Sequence, residues 1–273
     1  MNTSATSTNP VTVRTLAAMK ASRQKIAMVT AYDASFAAQA DAAGVDAVLV
    51  GDSLGMVVQG RPSTLPVTIE DIVYHSQCVG RGLGRALLIA DMPFLSFRDV
   101  STALASAGRL MAEGGAAMVK VEGAGRVCES IASLAESGIP VCAHLGLTPQ
   151  SVHKFGGYRV RGRDADEANR LREDARAVAA AGADLLVLEC VPDPLAAEIT
   201  GHLAIPVIGI GAGPRCDGQV LVLYDLLGVT PGRRPRFSKD FLAGTGSVVQ
   251  ALSNYVAAVR GGEFPGPEHS YAS

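Results

Sequence analysis

Charged and hydrogen-bonding side chains stand at the C-terminal ends of a series of apolar runs. These residues are Asp52, Asp91, Lys120, Glu122, His144 and Glu189. Runs of this length that are rich in Val, Ile and Leu are typical of strands covered on both faces, which form parallel sheets. In an α/β barrel the C-terminal ends of all strands meet at one rim, where catalysis takes place. The sequence therefore predicts one pocket that contains carboxylates, a lysine and a histidine.

The carboxylates of Asp52 and Asp91 follow the second and third predicted strands. Two carboxylates that lie close together in a partly buried site repel each other unless a counter-charge is present. A divalent cation supplies that charge, and oxygen-only ligands favour Mg²⁺, which keeps several waters and leaves positions for substrate oxygens. The alternative is that one carboxylate caps the following helix, a task that Asp52 could share with Ser53.

Two further carboxylates, those of Glu122 and Glu189, belong to the fourth and sixth predicted strands. Lys120 and Glu122 are two residues apart on the fourth strand, so their side chains point the same way and form either a structural salt bridge or two independent ligands. Glu189 ends the apolar run 185–188. Partial removal from water would make its carboxyl group hold a proton more tightly, as a general base near neutral pH requires. The alternative for Glu189 is a carboxylate held by a backbone amide.

Eight strand–helix units position these side chains. Strands are predicted over residues 25–33, 45–53, 86–92, 116–123, 140–146, 184–190, 206–213 and 219–225. Intervening helices are predicted over 33–43, 99–113, 127–137 and 164–181, each followed by glycine. N-cap positions are assigned to Asp33, Asp99, Asp164 and Asp193. Because no break in composition divides the chain, the pattern favours a closed α/β barrel, the (β/α)8 TIM barrel, over a doubly wound sheet.

Other segments complete this picture. A short helix within residues 14–24 should cap the barrel floor, the barrel domain should span 11–262, and flexible tails should cover 1–10 and 263–273. Segment 148–163 is polar, basic and glycine-bearing, which is typical of a mobile lid over an anionic substrate and also of a solvated surface excursion. The predicted helix 241–260 has apolar residues on more than one face, which indicates contact with a second copy of the chain.

Composition excludes several classes of function. The net charge of −2 gives no electrostatic basis for binding nucleic acid or an anionic membrane, and no apolar run approaches the roughly 20 residues of a membrane span. The first residues resemble no secretory signal. The five cysteines are scattered, which favours reduced thiols in the cytoplasm; Cys142 and Cys190 are interpreted as core residues rather than nucleophiles. The run IGIGAG lacks the spacing of a dinucleotide-binding loop.

Several motifs, in their order and spacing, resemble the ketopantoate hydroxymethyltransferase family. They include GDSLGM, ADMPF, VKVEG, HLGLTPQ and IGIGAG, and the resemblance spans residues 25–238. It implies a cytosolic (β/α)8 enzyme with one Mg²⁺ per subunit, which transfers a hydroxymethyl group from 5,10-methylenetetrahydrofolate to 3-methyl-2-oxobutanoate. The product would be 2-dehydropantoate, in pantothenate and coenzyme A biosynthesis. The resemblance further implies a homo-oligomer, commonly a decamer.

The resemblance also implies roles at matching positions. The metal ligands would be Asp52, Asp91 and Glu122, and the proton acceptor would be Glu189. The residues that bind the oxo acid would be Asp52, Ser53, Asp91 and Lys120. The chain departs from the family pattern at Tyr224, where histidine is usual, and at Ala124, where glycine is usual. Neither position belongs to the acid–base set.

Two alternatives remain open on the sequence. One is a Mg²⁺-dependent carbon–carbon lyase of 2-oxo acids or a phosphonomutase-like barrel, although such enzymes usually carry a cysteine-bearing loop that is not evident between the fourth and fifth strands. The other is a non-catalytic ligand-binding or assembly barrel. Proton exchange and magnesium binding would distinguish all three.

Overall fold

Parallel strands close into a barrel in the computed structural model, which describes residues 9–232 and 234–272. The strands follow one another in sequence order, and β1 pairs with both β2 and β8. Their bounds are β1 Ile26–Thr30, β2 Ala47–Val50, β3 Leu87–Asp91, β4 Met118–Glu122, β5 Val141–Gly146, β6 Leu185–Glu189, β7 Val207–Ile210 and β8 Gly218–Leu221. The predicted (β/α)8 barrel is therefore confirmed.

Helices surround the barrel in the predicted alternation. They are α1 Val13–Ala21, α2 Ala34–Ala42, α3 Leu54–Val57, α4 Ile69–Gly82, α5 Val100–Ala112, α6 Val127–Glu136, α7 Val152–Phe155, α8 Ala165–Ala180, α9 Asp193–His202, α10 Leu223–Leu226 and α11 Val248–Gly261. Short 3₁₀ turns lie at Pro149–Ser151 and Pro267–His269. Within residues 9–232 and 234–272, no helix has the length and apolar character that crossing a bilayer requires.

Aspartate side chains begin three of these helices as predicted. The carboxylates of Asp33, Asp99 and Asp164 each accept a hydrogen bond from the backbone N–H three residues on. The fourth assignment is wrong, because Pro192 occupies the N-cap of α9 and Asp193 is its first helical residue. The carboxylate of Asp193 instead pairs with Arg215, 2.9 Å away.

The strands are buried along nearly their whole length, since helices cover their outer faces and side chains fill the interior. The floor, where the strands begin, is covered by α1 as predicted. Lys20 at the end of α1 donates from Nζ to Asp217 Oδ2 over 2.6 Å, directly before β8. This contact ties the capping helix to the barrel.

The C-terminal part differs from the prediction in three ways. Strand β8 ends at Leu221 and helix α10 follows it, so the predicted strand 219–225 is too long. Helix α11 begins after the Ser247 cap rather than at Phe241, because glycines interrupt residues 243–247. Residues 263–272 are packed rather than loose, since Phe264 is buried between the rings of Phe241 and Tyr255. Residues 1–8 of the predicted N-terminal tail lie outside the described residues.

Candidate active site

The polar residues at the strand ends meet at one rim of the barrel, as the parallel topology requires. Asp91 and Glu189 are the last residues of β3 and β6, Glu122 is the last of β4, and His144 lies in β5 beside Glu122 in register. Asp52 follows β2 by two residues. All but Glu189 are almost completely buried, and the side chain of Glu189 keeps 14% of its surface exposed.

Lys120 and Asp91 form a buried ion pair across neighbouring strands. The second oxygen of Asp91 accepts a hydrogen bond of 3.0 Å from the backbone N–H of Asp52. Burial alone would lower the pKa of Lys120, but the charges of Asp91, Glu122 and Asp52 outweigh burial and raise the pKa above its ordinary value. Lys120 therefore carries a positive charge. Its ion pair is with Asp91 and not with Glu122.

His144 lies between two carboxylates. Its Nδ1 is 3.4 Å from Glu122 Oε1 and its Nε2 is 3.2 Å from Glu189 Oε2. Neither contact has hydrogen-bond angles, so both are ionic contacts. Burial and Lys120 lower the pKa of His144, but the two carboxylates outweigh them and raise the pKa to about 9. At neutral pH the imidazole is therefore cationic in this arrangement.

The surroundings of Glu122 stabilise its ionised form. Burial raises its pKa, but His144, Lys120 and the backbone N–H of Gln150 outweigh burial and lower the pKa below the ordinary value. The hydrogen bond from Gln150 N to Glu122 Oε2 measures 3.0 Å. Glu122 is consequently ionised.

Asp52 is the poorly compensated member of the cluster. Burial, Asp91 and Glu122 raise its pKa well above the ordinary value. Its Oδ2 accepts a hydrogen bond of 2.9 Å from the neutral side chain of Gln150, while no ion pair among the described residues includes it. The helix-capping alternative is not realised, because α3 has Ser53 as its N-cap residue and no side-chain capping hydrogen bond. Asp52 is thus a buried carboxyl group without an ion-pair partner among the described residues, and its surroundings disfavour the ionised form.

Ser53 is oriented by an aromatic pair. Its Oγ lies 2.9 Å from the hydroxyl of Tyr32, and the ring of Tyr32 packs at 5.9 Å from that of Tyr224. Burial is the largest cause of a raised pKa at Tyr32, which keeps its hydroxyl protonated. The ring of Tyr224 therefore packs against the ring of Tyr32, whose hydroxyl group contacts Ser53.

Gln150 is the site residue that sequence reasoning missed. It lies in the 3₁₀ turn after β5, is 7% exposed and contacts both Asp52 and Glu122. Its position within HLGLTPQ, shortly after a strand end, was the available signal. Segment 148–163 is accordingly anchored at its start. Farther along, the exposed ring of Tyr158 places its hydroxyl 3.6 Å from Met56 Sδ, across the mouth.

The two strand cysteines match the prediction of core residues. Burial raises the pKa of Cys142 to about 12 and also raises the pKa of Cys190, so neither thiol forms a thiolate readily. Cys190 adopts a left-handed backbone conformation with φ of 50° directly after Glu189. A non-glycine residue in this region is strained, and such strain is common beside functional groups.

The donor chemistry of the rim suits a hard divalent cation. Among residues 9–232 and 234–272, no three His, Cys, Asp or Glu side chains converge into a complete metal site. Mg²⁺ rarely needs such a cage, because it is usually held by one or two carboxylates while water and substrate oxygens complete its coordination. The buried carboxyl groups of Asp52, Asp91 and Glu122, which repel one another when ionised, fit a cation held in this way.

Comparisons with known proteins agree with this picture. A family model described as ketopantoate hydroxymethyltransferase matches residues 10–267. The chain is 60% identical over 262 residues to the 3-methyl-2-oxobutanoate hydroxymethyltransferase of Alkalilimnicola ehrlichii, covering 96% of this chain and 95% of the relative. It is 57% identical over 261 residues to the enzyme of the same description from Halorhodospira halophila, covering 96% and 94%.

Solved structures show the same architecture. A phosphonopyruvate hydrolase superposes with a TM-score of 0.61 at 13% sequence identity, covering 80% of this chain and 83% of the other. At this identity the likeness concerns the fold alone.

Proposed function

Because the chain belongs to the ketopantoate hydroxymethyltransferase family, and is thus an enzyme that transfers a one-carbon group, we propose that it converts 3-methyl-2-oxobutanoate to 2-dehydropantoate. The donor would be 5,10-methylenetetrahydrofolate and the pathway pantothenate biosynthesis. The observation that carries the mechanism is the gathering of the buried carboxyl groups of Asp52, Asp91 and Glu122, next to a rim that leaves Glu189 open to a substrate.

One Mg²⁺ per subunit is proposed, with ligands from Asp52, Asp91 and Glu122. When bound, the cation draws electron density from the carbonyl group of a 2-oxo acid and thereby makes its C3 proton more acidic. The support is the excess of buried carboxylates, since like charges held together in low dielectric need a counter-charge. Asp91 already has Lys120 as its ion-pair partner. Asp52 has no such partner among the described residues, so it is the carboxylate that a bound cation would stabilise most.

Substrate binding is proposed for Lys120 and Ser53 together with Asp52 and Asp91. The buried ammonium group of Lys120 adds positive charge where the negative charge of the oxo acid develops. The hydroxyl group of Ser53, held by Tyr32, offers a directed hydrogen bond. Lys120 lies within β4 and Ser53 is the N-cap residue of α3 just beyond β2, so both are positioned by elements of the barrel.

Glu189 is proposed to remove the C3 proton. Its carboxylate is near the cationic His144 and keeps partial access to the mouth. The electron pair of the C3–H bond moves toward the 2-oxo group, and C3 then forms the new carbon–carbon bond to the methylene carbon of the folate. The bond from that carbon to one folate nitrogen breaks as the carbon–carbon bond forms, and water supplies the hydroxyl oxygen as the bond to the other nitrogen breaks. The C3 proton taken by Glu189 and one proton of the water end on the two folate nitrogens, so tetrahydrofolate leaves.

Proton–deuterium exchange at C3 of 3-methyl-2-oxobutanoate, followed by NMR, tests this proposal. Exchange is expected with Mg²⁺ alone and should stop when the metal is chelated, while 2-dehydropantoate should form only when the folate is added. Cleavage of the oxo acid without folate would favour a carbon–carbon lyase instead. Absence of exchange from a folded protein that also fails to bind Mg²⁺ would favour the non-catalytic reading and overturn the proposal.

A cytoplasmic homo-oligomer, a decamer, is proposed from the family resemblance. The pattern of helix α11 gives this less support than expected, because its residues Leu252, Tyr255, Val256 and Val259 are buried against the barrel of their own chain. The hydroxyl group of Tyr255 reaches the carbonyl groups of Met28 and Gln219. Sedimentation analysis at micromolar concentration tests the assembly, and a monomeric mass would contradict it.

A further inference from the structure

The side chain of Gln150 joins parts of the rim that the barrel does not itself connect. Its Nε2 donates to Asp52 Oδ2 over 2.9 Å and to the carbonyl oxygen of Met92 over 3.0 Å. Its backbone N–H donates to Glu122 Oε2 over 3.0 Å. One buried residue of the turn after β5 thereby contacts the chain just beyond β2 and β3 and the last residue of β4.

The orientation of this amide is fixed by chemistry. A backbone carbonyl oxygen can only accept hydrogen bonds, so the NH₂ group must face Met92, and the same group then also reaches Asp52 Oδ2. Both hydrogens of that group are then used. One oxygen of Asp52 and one oxygen of Glu122 are consequently fixed, each by a donor of the same residue.

The side chain of Gln150 is also uncharged, and this is the second property on which its role depends. A lysine or arginine at this position would add a positive charge beside Asp52, whereas the amide orients the carboxyl group through a hydrogen bond and adds no charge. At Asp91 the donor is instead the charged ammonium group of Lys120, which forms an ion pair with the carboxylate. The two neighbouring carboxylates are thus held by donors of different charge.

We propose that Gln150 is a positioning residue for a divalent cation, which holds Asp52 and Glu122 in the geometry that the cation requires. The inference rests on the proposed Mg²⁺ function and adds to it a residue that is not a ligand. Since Gln150 lies near the start of segment 148–163, its contacts also anchor the start of that segment at the rim. Partners that orient metal ligands typically affect metal affinity about 10–100-fold.

Isothermal calorimetry with Mg²⁺ on the Gln150→Met variant tests the inference. Methionine has a similar length and fills the same space, but it donates no hydrogen bond. We expect Mg²⁺ affinity to fall about 10–100-fold. The Mg²⁺ concentration for half-maximal C3 exchange should rise by the same factor, while the rate at saturating Mg²⁺ largely recovers because the ligands remain.

Gln219→Met is the matched control. Gln219 is also a buried glutamine, and its Nε2 donates over 3.0 Å to the carbonyl oxygen of Gly213. Loss of this amide should lower thermal stability without a change in Mg²⁺ affinity. If Gln150→Met does not fold, Gln150→Asn replaces it: the shorter amide keeps the backbone contact to Glu122 but cannot span to Asp52, so a loss of affinity is again expected.

A parallel titration of Asp52→Asn separates the two levels of the account. If Asp52→Asn weakens Mg²⁺ binding and folded Gln150→Met binds as tightly as the unchanged protein, the positioning role is wrong and the metal proposal stands. If neither substitution alters Mg²⁺ affinity, the proposed ligand set is wrong, and the role of Gln150 falls with it.

Discussion

Strand β2 has a buried aspartate near each end, and the two differ in their partners alone. Asp46 precedes the strand at the floor, Asp52 follows it at the rim, and each is 3% exposed. Asp46 accepts a hydrogen bond from Ala27 N over 3.0 Å and pairs with Arg260 at 3.0 Å and Arg85 at 3.6 Å. Asp52 has no ion pair among the described residues: its side chain accepts from the neutral amide of Gln150, and burial with the like charges of Asp91 and Glu122 outweighs the charge of Lys120.

The difference indicates that burial of a carboxylate does not by itself identify a functional group, and that burial without an ion-pair partner marks Asp52 as the candidate. Asp217 repeats the floor pattern, since it accepts from Lys20 and from the backbone N–H of Val207. In α/β barrels the floor is usually concerned with stability and the rim with catalysis. In the proposed account the same residue type serves both purposes, and the local charge balance decides which.

Glu189→Gln should have the largest effect, on rate rather than on stability. The amide keeps the size of the side chain but cannot accept the C3 proton, and general-base catalysis contributes about 10²–10⁴-fold. We expect a loss of that order in C3 exchange, with Mg²⁺ affinity and melting temperature little changed. The exposed carboxylate variant Glu113→Gln should exchange normally. A nearly normal rate in Glu189→Gln would show that another rim group is the base.

Asp46→Asn should lower stability rather than rate. Removal of one partner of a buried ion pair costs about 3–5 kcal/mol, and about 2–3 kcal/mol is expected here because the Arg85 and Arg260 side chains keep 15% and 36% of their surface. Urea unfolding measures this loss, and C3 exchange per folded molecule should persist. A fall in exchange without loss of stability would remove the distinction between floor and rim.

Tyr255→Phe should have a smaller effect on stability. The hydroxyl group lies 2.8 Å from the carbonyl oxygen of Met28 and 2.9 Å from that of Gln219, wholly buried. Loss of a buried hydrogen-bond donor costs about 1–2 kcal/mol. Tyr74→Phe, at an exposed ring on α4, is the matched control and should leave the free energy of unfolding within about 0.5 kcal/mol. Equal effects in both variants would contradict the buried role of Tyr255.

Asp52→Asn should change stability least and with the opposite sign to Asp46→Asn. The raised pKa of Asp52 means that ionisation of this carboxyl group opposes folding at pH values above its ordinary pKa. The neutral amide removes this repulsion, so metal-free stability at neutral pH should be unchanged or higher by up to about 1 kcal/mol. A clear loss of stability in urea unfolding would show that Asp52 is a structural group like Asp46.

Much of the barrel follows from the sequence, because each strand is a continuous apolar run that the parallel topology buries. The positions of Asp91, Glu122 and Glu189 follow from the same pattern, since a strand end determines its rim position. The partners do not follow. Lys120 is two residues from Glu122 but pairs with Asp91 on the neighbouring strand, a choice that barrel register makes.

Other features were beyond the sequence for specific reasons. Gln150 is uncharged and lies in a segment whose polar composition suggests a lid, so its burial against two carboxylates depends on tertiary packing. The packing of Phe264 against Phe241 and Tyr255 is equally non-local, and the glycine-rich end of the chain conceals it.

The rise in melting temperature caused by Mg²⁺, measured side by side on the unchanged protein, Asp46→Asn and Asp52→Asn, tests the central claim most directly. Ligand at about 100 times its dissociation constant stabilises a folded protein by about 2.7 kcal/mol. The account predicts that Asp46→Asn melts lower without metal but keeps the full Mg²⁺-induced rise. It predicts that Asp52→Asn melts no lower without metal and loses most of that rise. Equal Mg²⁺-induced rises in the two variants, or none in the unchanged protein, would contradict the claim that the rim charge serves a cation.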